Sequence, residues 1–122
     1  PPVLLTRGDR YAAELLEELR ERTPGIQILC AGKLPSGTAE KLSLRDALTP
    51  AERRGRGNAY ARGGWWLHDR ILTDTTLTVI RADVFARRDL LDPRSGTPLP
   101  TYRRQRYTGG TGRYFPIFLY IK

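Results

Sequence analysis

The sequence predicts an α+β domain: an antiparallel β-sheet with an N-terminal helix and short further helices. Three observations carry this. Ala12, Leu15, Leu16 and Leu19 recur at i, i+3, i+4 and i+7, the apolar stripe of an amphipathic helix. Residues 65–72 and 77–85 are adjacent β-rich runs joined by Thr73-Asp74-Thr75-Thr76, the pattern of a hairpin. Residues 101–107 and 113–121 form a second such pair around Thr108-Gly109-Gly110-Thr111-Gly112. Helices and a mainly antiparallel sheet in one short chain give α+β, and 122 residues suit a single domain spanning 1–122.

In chain order, the helix is predicted over 9–22, with Asp9 as N-cap, Pro24-Gly25 as its stop and Glu18 within reach of Arg22 one turn on. Residues 26–31 read as a short buried strand and 32–38 as a loop. Ser43-Leu44-Arg45-Asp46 resembles a capping box. Thr49-Pro50-Ala51-Glu52 is a better one, with proline at the first helical position. Two short helical turns are expected there, then a mobile surface loop over 53–64. Strand alternation places Thr78, Ile80, Ala82 and Val84 on a core face and Arg81 with Asp83 on the other. It also puts His68 and Arg70 on one side of their strand. Residues 86–92 suit a short helix ended by Pro93.

Composition narrows the function classes. With 39% apolar and 28% charged residues, the chain has the make-up of a folded protein rather than a disordered one. Cys30 is the only cysteine, which excludes an intrachain disulfide and a cysteine zinc cage, and it reads as a small buried hydrophobe. His68 is the only histidine, so no histidine metal cluster exists. No cofactor is expected. No apolar run has membrane-spanning length, and the first five residues are too short for a signal peptide. The expectation is a cytoplasmic protein. The net charge of +8 is uneven: residues 1–52 carry 7 basic and 8 acidic side chains, and residues 53–122 carry 14 and 5. Such a field attracts anions: nucleic acid, an acidic protein or a small dicarboxylate. A solvated arginine-rich surface is the plain alternative.

Gly109-Gly110-Thr111-Gly112-Arg113 lacks the Lys-Ser/Thr ending of a phosphate loop and precedes a strand, so it reads as a hairpin loop. His68 is a candidate acid–base residue if its face lines a pocket; otherwise it is structural. Arg70, Arg81 and Arg104 are candidate anion-binding residues, since a guanidinium fork matches a carboxylate. The competing reading pairs them with Asp69, Asp83 or Asp89. Tyr102-Arg103-Arg104-Gln105-Arg106-Tyr107 is basic with an aromatic at each end, a pattern that tracks a nucleic-acid backbone and stacks bases. A strand with an exposed basic face has the same pattern.

The stretch Trp66-Leu67-His68-Asp69-Arg70-Ile71-Leu72, followed after a short turn by Arg81-Ala82-Asp83-Val84-Phe85, resembles the chorismate lyase family and its regulatory relatives, the UTRA ligand-binding domains. The order of an N-terminal helix, a strand, the segment from Leu48 to Glu52 and a late Thr97-Pro98-Leu99 is compatible with that family. The resemblance covers much of the chain through short motifs. It implies a chorismate lyase-like fold and recognition of a small anionic aromatic or chorismate-like ligand. The implied reaction eliminates pyruvate from chorismate and leaves 4-hydroxybenzoate. The family's second arginine falls on Arg81 and its first on His68, with Arg70 on the same face. This gives Arg70 and Arg81 carboxylate binding and His68 proton donation. The family's late glutamate has no counterpart, because no acid follows Asp92. The alternative is a non-enzymatic nucleic-acid-binding module using the basic C-terminal hairpin. A third possibility is an interaction domain for an acidic protein.

Overall fold

A computed structural model describes residues 3–8, 12–110 and 112–122. It mixes helix with largely antiparallel sheet, as the α+β class requires. The chain forms two compact units, neither contiguous in sequence. Residues 1–49, 69–81 and 119–122 make the first, and residues 50–68 and 82–118 the second.

The first unit is built on a four-stranded sheet. Strand β1 (Val3–Gly8) runs parallel to β2 (Gln27–Gly32), and helix α1 (Ala12–Arg22) lies between them in sequence. Strand β6 (Arg70–Thr73) pairs antiparallel with β2 on one side and with the short β3 (Arg45–Asp46) on the other. The order is β1-β2-β6-β3. Ala13, Leu16, Ile28, Cys30, Leu42, Leu44 and Leu72 form its core. Each large apolar side chain among them contributes about 2 kcal/mol by leaving water.

Several expectations hold here. Strand β2 forms within one residue of its predicted bounds, Cys30 is fully buried, and Glu18 pairs with Arg22 at 2.8 Å. Gly25, at φ 84°, follows the helix stop. The predicted N-cap Asp9 lies outside the described residues.

Others are corrected. Strand β1 was not anticipated. The buried stripe of α1 is Ala13 and Leu16, whereas Leu15 is 60% exposed. Arg20 reaches inward from the same face, hydrogen-bonds the Leu42 carbonyl and lies 3.6 Å from Asp74. Ser43 closes a helix instead of opening one. Helix α2 (Thr38–Lys41) ends in a Schellman motif, with Leu44 N–H donating to the Ala39 carbonyl and Ser43 N–H to the Glu40 carbonyl. Ser43 takes the left-handed position, φ 52°, that glycine usually fills. Helix α3 (Thr49–Arg53) forms where the second capping box predicts it.

The predicted hairpin of 65–72 with 77–85 does not form. The first run is two strands, β5 (Gly64–Trp66) and β6. Strand β7 (Val79–Val84) pairs with β10 (Ile117–Ile121), not with β6. The turn itself is present: Leu77 N–H bonds the Asp74 carbonyl, and the Asp74 carboxylate accepts from the N–H and hydroxyl of Thr76. It is tied towards β2 and β3, because Gln27 donates to Thr76 and Arg45 to the Thr75 carbonyl. Paired on both edges, β6 is an interior strand, with Ile71, Leu72 and Thr73 all buried. Ile80, placed on the core face by alternation, is 64% exposed.

In the second unit the segment 53–64 is not merely loop: Ala59–Ala61 is strand β4, paired antiparallel with β5. The turn between them, Arg62-Gly63, has positive φ at both residues, the type I′ signature. The short helix expected over 86–92 is a single 3-10 turn, Arg88–Leu90. The predicted hairpin of 101–107 with 113–121 does not form either: β10 pairs with β7, and the run 101–107 folds back on itself. Strand β8 (Tyr102–Arg103) pairs with β9 (Arg106–Tyr107) about Arg104-Gln105. The glycine segment lies beyond this hairpin and packs elsewhere. Gly110 sits so close to Leu99 that a Cβ would lie 2.1 Å from the Leu99 carbonyl oxygen. Among the described residues, no helix is long and apolar enough to cross a membrane.

Candidate functional site

The second unit concentrates the charge. Its residues carry 11 basic and 4 acidic side chains, a net +7, against 10 and 9 in the first unit. Exposed aromatics are dense in it too: Tyr60, Trp65, Trp66, Phe85, Tyr102, Tyr107 and Tyr114.

Asn58 organises the centre of this unit. Gly57, just before it, lies against the backbone of Trp66, where a Cβ would come within 2.5 Å of the Trp66 nitrogen. Asn58 is fully buried. Its N–H donates to the Trp66 carbonyl and its own carbonyl accepts from Phe115 N–H. Its side chain accepts the His68 backbone N–H at 2.7 Å and donates to the Phe115 carbonyl at 3.2 Å. One residue thus locks the segment carrying Trp66 to the segment carrying Arg113 and Tyr114. An Ala59–Tyr114 bridge continues the lock.

This frame supports two cavities. The first, about 220 Å³, is lined by Arg56, Trp65, Val84, Leu91 and Phe115 among others. Trp65 stacks on Phe115 at 5.5 Å. Arg56 is committed to the buried Asp83, donating from Nε at 2.7 Å, and Arg54 approaches the same carboxylate at 3.6 Å.

The second cavity, about 300 Å³, is lined by Tyr60, Trp66, Thr97, Pro98, Arg113 and Tyr114 together with Ala59 and Ala61. That volume lies at the lower end of small-molecule sites, roughly 300 Å³ and above. Thr97 and Pro98 reach it through a closed loop, in which Asp92 N–H bonds the Thr97 carbonyl and Leu99 N–H the Leu90 carbonyl. The buried Asp92 anchors the loop. Its carboxylate accepts the Arg94 N–H at 2.9 Å and an Arg103 guanidinium hydrogen bond, and these two hold its pKa below the ordinary carboxylate range. Arg113 is exposed at the second cavity and pairs with no carboxylate among the described residues. An aromatic wall beside an unneutralised guanidinium suits a flat anion.

None of the sequence-predicted residues lines either cavity. His68, half-buried, stacks on Tyr114 at 4.0 Å and meets the edge of Trp66 at 5.3 Å, so it backs two lining aromatics of the second cavity. Arg104 sits exposed at the tip of the β8–β9 hairpin. Arg70 and Arg81 belong to the first unit. Arg70 pairs with Asp46 at 3.2 Å, and Arg81 is exposed on β7. Asp83 and Asp89 are engaged by Arg54 and Arg56, and by Arg87, respectively. Sequence reasoning missed Arg113, which stood inside a supposed hairpin. Among the described residues no three His, Cys, Asp or Glu side chains gather as a metal site. No protein-family model, curated protein or solved structure matches the chain.

Proposed function

We propose that the chain recognises a small anionic aromatic ligand of the chorismate type in the Trp66–Tyr114 cavity, with Arg113 taking a carboxylate. The observation that carries this is the Arg113 guanidinium, unpaired among the described residues, beside three aromatic side chains. A planar ring gains dispersion and desolvation against Trp66, Tyr60 and Tyr114 while its carboxylate meets the charge. Two stretches of the chorismate lyase resemblance, through Trp66 and through Thr97-Pro98, contribute to the lining. Lyase-type conversion belongs to the same reading. The ether bond between the ring and the enolpyruvyl oxygen would break as the ring loses a C–H proton and becomes 4-hydroxybenzoate, and the departing enol would take up a proton to become pyruvate; His68 acts behind Tyr114 as a positioning residue.

Titrating chorismate and 4-hydroxybenzoate against the fluorescence of the only two tryptophans, Trp65 and Trp66, tests binding. Arg113→Ala should weaken it roughly tenfold or more, the scale of a charged hydrogen bond. Full affinity in Arg113→Ala together with loss in Arg81→Ala would refute the cavity and favour the arginine that the family resemblance assigns. Release of 4-hydroxybenzoate, followed by absorbance, separates conversion from recognition alone.

A further inference from the structure

The β8–β9 hairpin has a construction that ligand binding in the cavity leaves unexplained. Tyr102 and Tyr107 are directly opposite one another across the two strands, so both side chains stand on the same face. They are 63% and 68% exposed, with ring centroids 5.8 Å apart in an edge-to-face pair. Two large aromatics this exposed bury little of their own surface and contribute little to the fold. Arg103 and Arg106 oppose one another on the other face, where like charges repel. Asp92 relieves this by binding Arg103, which leaves Arg106 exposed. The tip is Arg104-Gln105, with φ of 49° and 67°. Holding two non-glycine residues in this region is strained, in a turn that Asn-Gly would form without strain. The strain places a guanidinium at the apex of the hairpin. Nothing acidic follows Asp92 in the chain.

We infer that this hairpin is a binding site for a single strand of nucleic acid. Bases stack on the open faces of Tyr102 and Tyr107, and a phosphate meets Arg104 at the apex. Charge complementarity favours this occupant, since the surrounding unit carries a net +7. The tyrosines favour a single strand over a duplex, because only unpaired bases present their faces. The hairpin addresses base faces and phosphates, so DNA and RNA strands should bind alike.

The test is fluorescence anisotropy of the whole chain with labelled oligothymidylate and oligouridylate of about 12 nucleotides. A duplex and an acidic peptide serve as competitors. Both single strands should bind, and the Tyr102→Ala/Tyr107→Ala double variant should lose roughly tenfold or more in affinity. Arg104→Gly should also bind more weakly, with a salt slope shallower by about 0.7 for each phosphate it no longer neutralises. Its thermal midpoint should hold or rise, because glycine accepts the left-handed backbone; this distinguishes a weakened interface from a misfolded protein. Unchanged affinity in the double variant, or equal competition by duplex or acidic peptide, overturns the inference. Neither result bears on the Arg113 cavity, whose test uses other residues and other ligands.

Discussion

The side-chain oxygen of Asn58 accepts the backbone N–H of His68 at 2.7 Å, in a place where Asn58 itself is fully buried. Strand pairing between β4 and β5 ends at Ala59 and Trp66, and beyond it the backbone of His68 needs another acceptor. Asn58 supplies that acceptor. Its amide nitrogen meanwhile satisfies the Phe115 carbonyl. A side chain thus does the work of a strand edge, and it does so between the segments that carry Trp66 and Tyr114.

Replacing Asn58 by alanine should therefore destabilise the protein by about 2–4 kcal/mol, since the buried Phe115 carbonyl and the half-buried His68 N–H both lose this partner. Urea unfolding should show a lower midpoint with an unchanged slope. Asn58→Asp keeps the acceptor for His68 but loses the donor to Phe115 and buries a charge, so it should not rescue. A loss under about 0.5 kcal/mol in the alanine variant would mean the unit is held elsewhere.

Gly57→Ala should destabilise the same unit. The added Cβ would stand 2.5 Å from the Trp66 nitrogen and 2.7 Å from its carbonyl oxygen, both backbone atoms that cannot swing aside. Overpacking of this kind costs about 1–3 kcal/mol or more. Gly64→Ala, where a Cβ meets nothing within 4 Å, is the control and should unfold near the wild-type midpoint.

What was legible in the sequence was local. Helix α1, strand β2 and the Thr49-Pro50 helix start follow from periodicity and capping chemistry within a few residues. Strand partners were not legible, because the short runs 65–72 and 77–85 read as a hairpin whichever strands they finally join. Both edges of β6 are taken by β2 and β3, strands from distant parts of the chain, which leaves no edge for β7. The tight turns hid for another reason: Arg62-Gly63 and Arg104-Gln105 adopt the positive φ that Asn-Gly would advertise. Arg113 became visible as a candidate only once Tyr114 was seen bridged to Ala59.

Ser43 offers a gain in stability. It occupies the left-handed position after α2, at a cost near 1 kcal/mol for a residue with a Cβ. Its backbone N–H makes the Schellman bond that any residue there would make. Ser43→Gly should raise the unfolding free energy by about 0.5–1 kcal/mol, read as a higher thermal midpoint. A fall would show that the serine hydroxyl has a role of its own.

Acid should loosen the Asp92 loop only well below neutral pH. The Arg94 N–H and the Arg103 guanidinium favour the ionised carboxylate, so its folded pKa lies below the unfolded value of about 3.9. A carboxylate depressed by folding contributes stability that is fully present above the unfolded value and is lost as pH falls through the folded one. Between pH 7 and about 5 the contribution should be constant, and it should fade below about 4. Asp92→Asn keeps an acceptor for the Arg94 N–H but not the charge facing Arg103. It should be less stable than wild type at neutral pH, with the gap closing as pH drops towards 2. Thermal midpoints of the two proteins across that range decide it. Parallel curves would mean that Asp92 titrates as an ordinary carboxylate and that hydrogen bonding alone, not its charge, holds Thr97 and Pro98 in place.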